Sequence, residues 1–307
     1  MTARRALAGW LFALTLVAAQ VAPAAAARAV PLYGVTIDRL ANLGGVIAGL
    51  RALPHRPTVR IYFDMHEPPS HYARAVARIA RHGSVMGELL DSSDERAISV
   101  SGLRARARSY LARLEGRVAI WEVGNEVNGS WTGRSRTVAR KLTAAYRVIA
   151  AAGGSTALTL YANDFGPDHC GDGRAELTPL QFARRFIPAS VAHGLDYVLV
   201  SYYPTQCGGR EPAATSVAAH LQRLHAIFPH ALLGFGEVGL PNPVTSQTRA
   251  RAAQIMRWAY SLDPGLPYYA GGYFWWYAAE DALRPHAPLK QALRRAFKDE
   301  AAAFSGL

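Results

Sequence analysis

Tyr197-Val-Leu-Val-Ser-Tyr202 is the run whose reading decides the fold. It is apolar almost throughout and lacks the alternation of a strand with one wet face, so it reads as a strand covered by helices. Segments of helical period flank it, Thr178–Phe186 before and Ala214–Ile227 after. Working outward, seven further runs of the same kind appear: Leu32–Ile37, Thr58–Phe63, Ser84–Leu89, Val118–Gly124, Ala157–Ala162, Ala231–Gly236 and Gly272–Trp276. Start to start, the eight runs recur every 26 to 41 residues. Helix-period segments fill the gaps, among them Ser70–Arg81, Ser101–Leu114, Thr137–Ala151, Ser246–Leu262 and Pro288–Phe304. Strands alternating with helices imply βαβ units and a parallel sheet. Eight of them predict an α/β protein closed into a single (β/α)8 barrel, a TIM barrel. An open doubly wound sheet is the alternative, but no glycine-rich phosphate loop follows the first strand.

The ends and the composition fit one domain. Residues 1–29 carry Arg4 and Arg5, an uncharged run Ala6–Val21, Pro23, and the small residues Ala24–Ala27. That order predicts a secretory signal peptide, and the apolar run is short of the roughly 20 residues that span a bilayer. Residues 30–307 then form the barrel, near the roughly 250 residues such a fold takes. A secreted or periplasmic location follows, with no membrane insertion after cleavage, and a monomer is expected. Export brings oxidising conditions, and the two cysteines, Cys170 and Cys207, fall in loops that a barrel sets side by side, so a disulfide is expected. The net charge is +12, and three of the 34 basic residues are lysine, leaving 31 arginines. They are scattered, with no basic run of the kind that binds nucleic acid, but an anionic polysaccharide remains open as a partner.

In such barrels the active site lies at the carboxyl ends of the strands. Arg60 and Asp64 fall late in the second strand, Glu88 and Asp91 at the end of the third, and Asn125 and Glu126 at the end of the fourth. Asn163 and Asp164 end the fifth, Tyr202 and Tyr203 the sixth, and Glu237 the seventh; Trp275, Trp276, Glu280 and Asp281 follow in the eighth. One rim therefore gathers acids, amides and aromatic rings, the materials of a sugar site. Breaking a glycosidic bond takes two carboxyl groups about the anomeric carbon, roughly 5–5.5 Å apart when configuration is retained. Strands four and seven lie nearly opposite, which makes Glu126 the candidate general acid/base and Glu237 the candidate nucleophile. Arg60 is placed to supply positive charge to Glu237, and the Tyr203 hydroxyl to donate to it. By the period of two, Ser201 and Tyr203 point inward and Tyr202 points to the helices. Glu122, on the face of Glu126 but about 13 Å deeper by strand rise, reads as a buried charge paired within the barrel. Trp276 is a candidate stacking platform, with core packing as the alternative, and Trp131 a second. Asn163, Asp164, Glu88 and Asp91 are subsite residues or solvated loop ends. His66, His71 and His169 sit in rim loops without the tight spacing of a zinc site, so no metal and no cofactor are expected.

These motifs resemble a known family. Trp121-Glu-Val-Gly-Asn-Glu-Val-Asn128 is similar to the strand-four signature of clan A glycoside hydrolases, in which an Asn-Glu pair supplies a sugar-binding amide and the acid/base. Gly234-Phe-Gly-Glu-Val-Gly239 resembles that clan's strand-seven nucleophile, and Val59-Arg-Ile61 its strand-two arginine. Val200-Ser-Tyr-Tyr-Pro204 resembles its strand-six tyrosine, especially in the form seen in endo-β-galactanases. Gly272-Tyr-Phe-Trp-Trp276 resembles its strand-eight tryptophan, better placed as Trp276 than Trp275. The resemblance implies retention of configuration, a β-linkage, no metal, and Asn125 on the sugar 2-hydroxyl. Val127 stands where many members have proline, and Gly124 where most have an aromatic residue.

The function expected is thus a secreted retaining glycosidase acting on a carbohydrate by double displacement. Short interstrand loops favour an open groove and endo-action. A polysaccharide-binding protein without catalysis is the alternative, although it would have no need of both glutamates. An esterase would need a Gly-x-Ser-x-Gly elbow, which the sequence lacks.

Overall fold

Strands buried on both faces need helices on one side and a filled interior on the other, and both are present. A computed structural model describes residues 31–162, 164–165 and 177–305 of the chain. The order is β1 (Gly34–Ile37), α1 (Leu43–Arg51), β2 (Thr58–Tyr62), α2 (Pro69–Ile79), β3 (Ser84–Glu88), α3 (Val100–Leu114), β4 (Ile120–Gly124) and α4 (Ser135–Ala151). It continues with β5 (Ser155–Tyr161), α5 (Pro179–Phe186), the short α6 (Ala189–Ala192), β6 (Tyr197–Tyr202), α7 (Ala214–His225), β7 (Leu232–Val238), α8 (Arg249–Tyr260), β8 (Tyr269–Gly272) and α9 (Lys290–Ser305). All eight strands are parallel and in sequence order. The sheet closes where the Leu32 amide donates to the Ala270 carbonyl at 2.8 Å and the Thr36 amide to that of Trp275 at 3.1 Å. This is the single (β/α)8 barrel that the sequence predicts. Among the described residues no helix is long and apolar enough to cross a membrane.

Two elements differ from the sequence expectation. α1 was not distinguished because three of its nine residues are glycine, which lowers helix propensity. β8 runs Tyr269–Gly272 rather than Gly272–Trp276. Gly271, Gly272 and Tyr273 have φ of 69°, 108° and 52°, which ends the extended backbone. Gly272 is needed there, since a β-carbon would lie 2.1 Å from the Phe235 carbonyl oxygen. The chain then returns to the sheet at Trp275, which bridges Val35 and Val238.

The alternation of side chains builds two cores. Val59, Ile61, Val85, Trp121, Val123, Leu158, Leu160, Val198, Val200 and Phe235 pack outward against the helices. Inside, Leu32, Met86, Ile120, Ala157, Leu199, Ala270 and Phe274 plug the barrel near the strand starts. One layer further along, the interior changes from apolar to charged, with Arg60, Glu88, Glu122 and Thr159 all fully or almost fully buried. β7 reaches this interior with a bulge: Val200 pairs with Phe235, but Ser201 pairs with Glu237, so Gly236 is extra. Gly236 already faces inward, where a β-carbon would meet Thr159 Oγ1 at 2.6 Å. Without the bulge, strict alternation would turn Glu237 toward the helices.

Candidate active site

Arg60 is the centre of the charged layer. Its guanidinium is fully buried and meets three carboxyls from three strands. Nε donates to Glu122 Oε2 at 2.6 Å and Nη2 to Glu122 Oε1 at 3.2 Å. Nη1 donates to Glu237 Oε1 at 3.0 Å, and Nη2 lies 3.2 Å from Glu88 Oε2. Glu122 also accepts from Thr159 Oγ1 at 2.5 Å, so it is the paired interior charge that the sequence indicates. Glu88 differs from the sequence expectation. It is no rim residue but fully buried, and neither of its oxygens has a hydrogen-bond partner among the described residues. Burial pushes its carboxyl well above the usual range against the pull of Arg60.

Glu126 follows β4 with a φ of 44°, a left-handed backbone uncommon outside glycine and a form of strain found at functional sites. The residue is 8 % exposed and its carboxyl is held by hydroxyls: Ser201 Oγ donates to Oε1 at 2.5 Å and Ser92 Oγ to Oε2 at 3.1 Å. Burial raises it to about 7, against the lowering pull of the Ser201 hydrogen bond. Glu237 pairs with Ser201 in the sheet and Ser201 also bonds Glu126, so the two carboxyls share one neighbour, and the Glu126 charge acts on Glu237. Burial pushes Glu237 up as well, and Arg60 is the strongest influence pulling it back.

The sequence did not single out Ser92. Asp91 starts a 3-10 turn by accepting from the Ser93 amide at 2.8 Å, and the turn presents Ser92 to the site. The Ser92 amide donates to Asn125 Oδ1 at 3.2 Å, and its hydroxyl accepts from Trp131 Nε1 at 3.0 Å while donating to Glu126. Asn125 Nδ2 is buried with no hydrogen-bond partner among the described residues, which leaves a donor free beside Glu126. Asn128, the last residue of the strand-four motif, clamps the end of β5 through the Tyr161 amide and carbonyl at 2.7 and 2.8 Å.

Above the carboxyls lies a groove of about 570 Å³ lined by Glu126, Trp131, Tyr161, Tyr203, Trp276 and Tyr277 together with Gln206, Leu240 and Pro241. Trp131 stands edge-on to Tyr161 with ring centroids 5.1 Å apart. Trp276 lies over Arg60, 5.2 Å from ring centroid to guanidinium carbon. Tyr161 and Tyr277 escaped the sequence reading, one as an ordinary strand residue, the other as a loop residue after the tryptophans. Trp275 is a correction: it is completely buried and its Nε1 donates to Asp281 Oδ2 at 2.9 Å, because its bridge to β1 and β7 turns the ring away from the groove. Tyr202 points to the helices, and Tyr203 faces inward as expected. The Tyr203 hydroxyl is pushed up by burial and by the charges of Glu237 and Glu126, yet no hydrogen bond joins it to Glu237. Asp164 turns to the buried His220, 3.3 Å from Nδ1. Asn163, His169 and Cys170 lie outside the described residues. His71 pairs with Glu67 at 3.2 Å, and no cluster of metal-ligating side chains occurs among the described residues.

No known family model matches this sequence, and no curated protein matches it. Solved structures do match the fold. Native xylanase 10B from Thermotoga maritima superposes with a TM-score of 0.59 at 12 % identity, over 89 % of this chain and 99 % of that one. A GH5_18 protein from Streptomyces cattleya, solved with GlcNAc, gives 0.56 at 18 % identity, over 90 % and 81 %. A GH5-4 broad-specificity endoglucanase from an uncultured bacterium gives 0.54 at 12 % identity, over 86 % of each chain. The fold is the one these hydrolases share. At such identities the likeness is one of fold.

Proposed function

We propose that the chain is a retaining endo-acting glycoside hydrolase for β-linked polysaccharide. The observation that carries this reading is the pair of buried carboxyls under an aromatic groove, one held by hydroxyls and one by a guanidinium. In the first step a Glu237 oxygen attacks the anomeric carbon. The bond to the leaving oxygen breaks, and Glu126 gives that oxygen its proton. In the second step Glu126, now a carboxylate, takes a proton from water. The water oxygen attacks the anomeric carbon and the bond to Glu237 breaks, leaving both glutamates as they began. A Glu126 carboxyl raised to about 7 suits a group that must give and take a proton near neutrality.

Glu237 has to be ionised for this, although burial opposes it. One guanidinium faces three carboxyls, so at least one of them carries a proton in so dry a place. Glu88 is the one without a hydrogen-bond donor, and Glu237 is bonded to Arg60 at 3.0 Å. The proton therefore resides on Glu88, and Glu237 stays anionic against Arg60. Asn125 Nδ2 supplies the donor for the 2-hydroxyl of the bound sugar, and Trp131 and Trp276 offer rings for the apolar faces of pyranoses.

The leader pattern in residues 1–29 supports export, and the reading takes the protein as a secreted or periplasmic monomer. The expected Cys170–Cys207 disulfide belongs to the same reading, with Cys170 outside the described residues. The testing experiment screens mature protein with Glu126→Gln and Glu237→Gln on neutral and anionic polysaccharides and aryl β-glycosides. Release of oligosaccharides by wild type alone, with both variants folded, supports the reading. Binding of a polymer without cleavage, equal in all three proteins, would replace it with a binding protein.

A further inference from the structure

The sequence holds far more arginine than the active site uses, and the structure collects a share of it in one place. A groove of about 1090 Å³, larger than the aromatic one, runs between α3 and α4 on the outer wall of the barrel. Arg104 and Arg108 of α3 face it from one side, Arg136, Arg140 and Arg147 of α4 from the other, and Arg185 closes it from the last turn of α5. All six are exposed. Glu115 is the one acid in the lining, and none of the six arginines pairs with a carboxylate among the described residues. Some arginines elsewhere are committed, such as Arg106 to the carbonyls of Leu89 and Phe63, Arg251 to Glu211 and Arg284 to Glu280, whereas the groove gathers six in one place. Arg104/Arg108 and Arg136/Arg140 stand four residues apart on their helices, where like charges repel. Two facing rows of unpaired guanidinium groups oppose each other until an anion lies between them.

We propose that this groove is a second carbohydrate-binding site, taking one chain of an anionic polysaccharide. The guanidinium fork matches a carboxylate or a sulfate in a bidentate manner. The floor, with Leu111, Ala144 and Val148, offers an apolar surface to the carbon face of a sugar. Single-stranded nucleic acid binds through stacked aromatic rings, and Phe186 is the one ring here. The site also adjoins the other groove. Arg96 donates to the carbonyls of Trp131 and Ser130 at 2.6 and 3.1 Å, fixing the turn that leads straight into α4. A polymer leaving the aromatic groove past Trp131 thus meets the arginine rows. The polysaccharide identity of the occupant rests on the glycosidase reading above.

The test compares full-length mature protein with the variant Arg104→Gln/Arg108→Gln/Arg140→Gln/Arg147→Gln, checked for an unchanged fold by circular dichroism. Affinity is measured against polygalacturonate, dextran sulfate, neutral dextran and a single-stranded DNA oligonucleotide over a range of NaCl. Wild type should bind at least one of the two anionic polysaccharides and ignore neutral dextran. The variant should bind at least tenfold more weakly, with a shallower salt dependence, and the better of the two polymers names the anion. Equal binding by variant and wild type, failure of both anionic polysaccharides, or tighter binding of DNA than of either would overturn the proposal. Aryl glycoside cleavage by wild type is read separately, so loss of the glycosidase reading and loss of this site give different results.

Discussion

Glu126 follows β4 and Glu237 sits on β7, across the same barrel, yet their surroundings differ in kind. Both carboxyls are almost fully buried, and desolvation raises both. Glu126 is met by the hydroxyls of Ser201 and Ser92, whereas Glu237 is met by the permanent charge of Arg60. A hydroxyl can follow a carboxyl through both protonation states, donating to the anion and accepting from the acid. A guanidinium can only donate. The lesson is that two glutamates in one dry cleft acquire opposite tasks from the chemistry of their partners.

The largest expected effect separates those tasks. Glu126→Gln should cost roughly 10²–10⁴ in kcat/KM on substrates whose leaving group needs a proton. A dinitrophenyl glycoside, which needs none, should restore bond cleavage in that variant and not in Glu237→Gln. Equal behaviour of the two variants on both substrates would erase the contrast. Next comes Arg60→Met, which strands buried carboxyls without a counter-charge and should destabilise the fold by about 3–5 kcal/mol; thermal unfolding reads it, and an unchanged Tm contradicts the central role given to Arg60.

A smaller effect concerns Ser201→Ala. Activity requires protonated Glu126 and should fall as pH rises through its value of about 7. The Ser201 hydroxyl favours the anion, so its loss should raise that value and move the alkaline limb of the pH–rate profile upward, by about one unit if the bond is worth ~1.5 kcal/mol. A limb that stays put or moves down would show that Glu126 is not the group titrating.

The smallest concerns Glu88→Gln. A carboxyl raised in the folded state binds its proton more tightly there than in the unfolded chain, so stability falls as pH rises above the ordinary carboxylate range. Glutamine, already neutral, should flatten that fall in a series of denaturant titrations. An identical pH dependence in wild type and variant would place the proton elsewhere in the layer.

Much of this was legible in the sequence because parallel strands buried on both faces leave continuous apolar runs, and because the strand-end residues Asn125, Glu126 and Glu237 stand out against them. Arg60 was legible for the same reason, as a charge inside an apolar run. What stayed hidden depends on local backbone geometry. The bulge at Gly236 turns Glu237 inward, and nothing in Gly234-Phe-Gly-Glu fixes which glycine is extra. The positive φ values from Gly271 to Tyr273 shift β8 and send Trp275 into the core while its neighbour Trp276 lines the groove. Ser92 is an unremarkable serine until the turn capped by Asp91 brings it between Trp131 and Glu126. Glu88 looked like a rim acid because the depth of a strand residue follows from register, which the sequence alone does not carry.

The most direct test of the account is covalent. Wild-type protein would be incubated with a panel of 2-deoxy-2-fluoro β-glycosyl fluorides, whose fluorine slows the second step, and then analysed by intact mass and peptide mapping. The account predicts inactivation with one sugar attached, on the peptide carrying Glu237 and at its side chain. Attachment at Glu126, or steady turnover of the matching substrate with inverted products and no adduct, would contradict it.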